Sequence, residues 1–82
     1  MDIDHLVRMA NQIGEFFSAY PDSDEAKASI ANHIQKFWEP RMRSLMLDSM
    51  AKGQTPELMP LVHEALTLHA ATLRPKAPAS SA

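Results

Sequence analysis

Residues 3–25, IDHLVRMANQIGEFFSAYPDSDE, decide how this chain folds. Ile3, Leu6, Val7, Ala10, Ile13, Gly14 and Phe17 recur at helical spacing, and Met9, Phe16 and Tyr20 widen the apolar stripe. Asp4, Arg8, Asn11, Gln12, Glu15 and Ser18 lie opposite. The apolar face covers about half the cylinder, more than a helix packed on a single neighbour needs. Tyr20-Pro21-Asp22 stops the helix, because the residue before a proline is pushed out of the helical region. Asp22 or Ser23 then caps a second helix, and Asp22 with Glu25 has the spacing of a capping box.

The rest of the chain extends this pattern. Ala26, Ile30, Ala31, Ile34, Phe37 and Trp38 form the apolar face of helix two. Glu39-Pro40 ends it and opens helix three, since proline suits a first helical position. Helix three runs to about Ala51, with Gly53 placed for a left-handed turn. A short turn over residues 55–59 precedes a helix from Pro60 to about Leu73, whose buried face is drawn from Leu61, Val62, Ala65, Leu66, Leu68 and Leu73. The expected fold is all-α: a small compact bundle of about four short helices, with residues 1–73 as one domain. Residues 74–82, RPKAPASSA, have nothing to bury and read as a disordered tail.

Composition narrows the function. A chain of 82 residues holds one core, and a core that small is marginal without a disulfide, a metal or a partner. No cysteine is present, which closes the disulfide and thiolate routes and raises the partner route. A net charge of −2 gives no general attraction to nucleic acid or an anionic membrane. No apolar run approaches bilayer length and the acidic N-terminus is unlike a signal peptide, so a cytoplasmic protein is expected.

Catalytic patterns are not found. The serines lack a strained-turn context, and Gly14 and Gly53 alone make no phosphate loop. His5, His33, His63 and His69 do not converge at a ligand spacing, so no metal or cofactor site is expected in this chain. His69 falls within the apolar stripe of the last helix, either as a buried histidine bonded to a carbonyl or as a polar anchor in an interface.

Candidate partner-binding residues come from the centre. Lys36-Phe37-Trp38-Glu39-Pro40-Arg41-Met42-Arg43 combines the only tryptophan with basic residues at a helix junction. Trp and Arg often carry interface energy. Phe37 reads mainly as core, and Trp38 divides evenly between core and interface. Met42, Met46 and Met50 form an i, i+4, i+8 ridge that fills a core or adapts to a partner. Helices one, three and four each have stripes wider than a small bundle can hide, which predicts apolar surface left exposed. The partner-binding set is Arg8, Trp38, Arg41, Met42, Arg43, Met46 and His69.

The run Arg8-Met9-Ala10-Asn11-Gln12-Ile13 and the run Lys36-Phe37-Trp38-Glu39-Pro40-Arg41-Met42 resemble the delta subunit of soluble NAD-dependent formate dehydrogenase, as does Pro60-Leu61-Val62-His63-Glu64-Ala65-Leu66. The resemblance implies a non-catalytic accessory subunit of a cytoplasmic complex. In that family the large subunits carry a molybdenum or tungsten pterin, iron–sulfur clusters and FMN, and the delta subunit holds none of them. It further implies binding to those large subunits in support of assembly or stability, with no nucleic acid and no membrane as partner. Self-association of the isolated chain stays open. The alternatives are a transient chaperone for molybdenum-cofactor insertion and an unrelated helical interaction module.

Overall fold

Each helix starts where a side chain or a proline can begin it. The computed structural model describes residues 2–75 as α1 (Ile3–Phe17), α2 (Ser23–Phe37), α3 (Pro40–Ala51), α4 (Pro60–Leu68) and α5 (Ala70–Leu73). The Asp2 carboxylate accepts from the Asp4 backbone N–H at 3.1 Å to cap α1. Asp22 accepts from the N–H groups of Asp24 and Glu25 to cap α2. Pro40 and Pro60 occupy first helical positions, where the missing N–H costs nothing. Gly53, at φ +70°, receives the chain after α3 in the left-handed region. The all-α class therefore stands.

Helix α2 is the central element, packing against α1, α4 and α5, while α1 also meets α3 and α4. Leu6, Ile30, Ile34, Met46, Val62, Leu66 and Leu73 are the largest fully buried side chains, one or more from every helix. The Cα radius of gyration, 12.4 Å, is close to the roughly 12 Å of a compact chain of this length.

Three boundaries differ from expectation. Helix α1 ends at Phe17, before Pro21 can act, where the Ser18 hydroxyl donates to the Glu15 carbonyl at 2.7 Å. The expected helix over 60–73 breaks at His69, whose φ of −104° and ψ of 18° leave the helical region. Leu68 falls on the outer side of α4, 65% exposed, away from the Val62, Ala65 and Leu66 face. Of the tail expected over 74–82, Arg74 Nη1 donates to Asp48 Oδ1 at 2.7 Å, and residues 76–82 lie outside the described residues.

The turn before α4 is tied to α1 by one amide side chain. Asn11 Nδ2 donates to the Glu57 carbonyl at 3.0 Å, and Asn11 Oδ1 accepts from the Met59 N–H at 2.8 Å. This satisfies a donor at the start of a helix that has no side-chain cap of its own. Asn11→Ala is expected to cost about 1–2 kcal/mol, read as a shift of the urea midpoint at unchanged slope. Lys27 and Glu64 join α2 to α4 at 2.9 Å. That hydrogen bond raises the Lys27 pKa above its ordinary 10.5. Its stabilisation is present below that value and is lost as pH rises through the raised one. Glu64 is more than half exposed, so the effect is small.

Candidate functional site

The ends of α1 and α2 leave an apolar face uncovered. Phe16 is 69% exposed and Phe37 70%. On α1, Met9, Ile13 and Phe16 are spaced i, i+4, i+7 and share one side of the cylinder beside the buried Leu6 and Ala10 row. On α2, His33 and Phe37 are one turn apart. Between the two helices runs a groove of about 520 Å³ lined by these side chains, with the buried Trp38 and the half-buried Phe17 and Met42 at its base.

Aromatic contacts set its shape. The Phe17 ring meets Phe16 edge-on at 5.0 Å and Tyr20 at 5.4 Å. His33 lies 4.7 Å from Phe37 and 6.3 Å from Phe17, bridging the two helices. Such T-shaped pairs hold rings in fixed relative positions and add roughly 0.5–1.5 kcal/mol beyond burial. No Asp, Glu, Lys or Arg lines the groove, and Gln12 and His33 are its polar side chains. It can take apolar groups and offers little to a charged ligand.

The residues singled out from sequence are dispersed. Trp38, 5% exposed, is part of the core, and Met46 is 2% exposed within it. Phe37, read as core, is instead the most exposed large apolar side chain described. The reversal has a local cause. Helix α2 ends at Phe37, and Trp38 takes an extended conformation at φ −91° and ψ 135°. Trp38 still donates its N–H to the Ile34 carbonyl at 2.9 Å, so its side chain continues the buried Ile30–Ile34 row, while Phe37 lies one turn beyond the half-buried His33 with no element over it. Arg43 faces inward too: its Nη1 donates to the Leu73 carbonyl at 3.1 Å, and its buried Nε has no partner. Arg41 is exposed. Arg8 is exposed beside a separate polar recess of about 240 Å³ formed with the 54–57 loop. His69 is half-buried at the α4–α5 break. Of the seven, only Trp38 and Met42 reach the groove.

In the sequence Phe16 widens the α1 stripe, and His33 sits one residue before Ile34 of the α2 apolar face. Excess apolar surface does remain on α1 and α4. On α3 the excess is smaller: Met42 lines the groove, and Leu45 and Met50 pack against the core as half-buried residues. Among the described residues, no group of three or more His, Asp or Glu side chains is placed to hold a metal ion. Nor is any helix among them long and apolar enough to cross a membrane.

A family model described as "NADH-dependant formate dehydrogenase delta subunit FdsD" matches residues 5–66. No protein of curated function and no solved structure matches the chain. The matched span contains every residue lining the groove and ends before the α4–α5 break.

Proposed function

Because the chain belongs to the family of formate dehydrogenase delta subunits, we propose that it is a non-catalytic accessory subunit that docks on a large subunit of that complex through the α1–α2 groove and supports its assembly or stability. The observation that carries this reading is the pair of exposed phenylalanines, Phe16 and Phe37, on an apolar groove inside the family-matched span. The largest apolar patch of a monomer is often functional, at roughly 300–600 Å². A chain of 82 residues also gains stability from any partner that binds its folded form.

The reaction chemistry then resides in other subunits of the complex. A molybdenum or tungsten pterin, iron–sulfur clusters and FMN need ligands or binding loops, and this cysteine-free chain contributes none of the thiolates such clusters take. Its share is positional, in a cytoplasmic complex that passes electrons from formate to NAD. The groove keeps water from part of a partner surface.

Affinity purification of the tagged chain from its native cytoplasm tests the reading. Wild type is expected to recover the large subunits in stoichiometric amount together with formate:NAD activity. Phe16→Asp and Phe37→Asp are each expected to lower that recovery more than tenfold, the size of an interface hot spot. Circular dichroism should show unchanged helicity, since both side chains are exposed. Full recovery by both variants removes the groove from the interface. Recovery only from cells lacking the pterin cofactor, and not with the active complex, would indicate a transient assembly chaperone.

A further inference from the structure

We infer that the occupant of the groove is an amphipathic helix of about two turns from the large subunit, rather than an extended peptide or a second copy of this chain. The inference rests on the docking reading above and specifies what the groove accepts.

Length sets the first limit. Along α1 the groove residues run from Met9 to Phe16, about 10 Å at the helical rise, or two turns. A helix laid there would present apolar side chains at i, i+3 or i+4, and i+7.

The backbone sets the second. Both walls are helices, whose N–H and C=O groups are already bonded along their own axes. Neither offers a strand edge. An extended segment would bring unpaired backbone groups onto a surface whose polar side chains are Gln12 and His33. A helix arrives with its backbone groups satisfied.

Area sets the third. Phe16 and Phe37 expose about 300 Å² together, taking roughly 200 Å² for each whole side chain. Their half-buried neighbours add less than that. The total stays below the roughly 800 Å² per partner of a stable interface. Two copies meeting across this patch alone would not hold together at working concentrations. A partner helix would be one part of a wider contact made by the large subunit.

Two measurements test the inference. Sedimentation of the purified chain at tens of micromolar is expected to give a monomer. A dimer there, abolished by Phe37→Asp, would assign the groove to a second copy and overturn it. In the assembled complex, benzoylphenylalanine placed at position 37 is expected on illumination to capture one segment of a large subunit with apolar residues spaced i, i+3 or i+4, i+7. The same probe at position 68, exposed on α4 outside the groove, serves as the reference. Capture at 37 of a segment without helical spacing, or capture at 68 alone, overturns the helix assignment. Failure of the chain to join the complex at all would instead remove the docking reading on which it rests.

Discussion

Trp38→Ala is expected to lower the unfolding free energy by about 3–5 kcal/mol, the range for truncating a buried aromatic residue. The indole is 5% exposed and belongs to the same core cluster as Ile34, Met46 and Leu66. Folding stability for a chain of this length is about 4–12 kcal/mol, so one substitution removes a large share of it. Thermal melts followed at the helical band should show a much lower midpoint, or no cooperative transition. The variant should also fail to recover the large subunits, through loss of fold rather than loss of a contact. Phe37→Ala separates the two causes. Its side chain is exposed, so stability should change by no more than about 0.5 kcal/mol while recovery still falls. Native-like melting of Trp38→Ala would mean that the indole does not bear on the core.

Gly14→Val is the second substitution with a large expected effect, a loss of about 3 kcal/mol. In an exposed helix, replacing glycine usually helps, by up to about 1 kcal/mol. Position 14 reverses that sign because side chains of α4 and the turn before it already fill the space a Cβ would take. A Cβ at Gly14 would overlap Val62 Cγ2 and stand 3.3 Å from Met59 Sδ. Val62 is fully buried and stiff at χ1, so it has no free space to turn into. Overpacking costs of about 1–3 kcal/mol then outweigh helix propensity, and the two branches of valine put the change at the upper end. Val62→Ala should recover part of the loss in the double variant, with a coupling of about 0.5–3 kcal/mol in urea titrations. Strict additivity would place the strain elsewhere.

Much of the architecture was legible because local chemistry marks it. Asp22, Pro40, Pro60 and Gly53 each do in the fold what their residue type does in isolation. The break at His69 was not legible. No proline or glycine stands there, and Leu66 and Leu73 are both buried on either side of it. Beyond the break, Arg43 donates to the Leu73 carbonyl from thirty residues away. That contact has no local signature. The groove was legible only in part. A helical wheel gave Phe37 and Trp38 to one broad face, yet only Trp38 continues the buried Ile30–Ile34 row, and Phe37 falls one turn past the half-buried His33 at the edge of that face. Asn11 appeared as one more polar residue on the outer face of α1, because its two partners are backbone groups more than forty positions away.

The Asn11 tie to the Met59 N–H also places a gauge at a known point in the molecule. Amides within a helix exchange with solvent through openings that range from fraying at its ends to global unfolding in its core. Met59 precedes α4 and its hydrogen is held by a side chain of α1. Deuterium therefore enters at Met59 only when the 57–59 turn lifts off α1. The protection of that single amide reports the free energy of parting the 57–59 turn from α1.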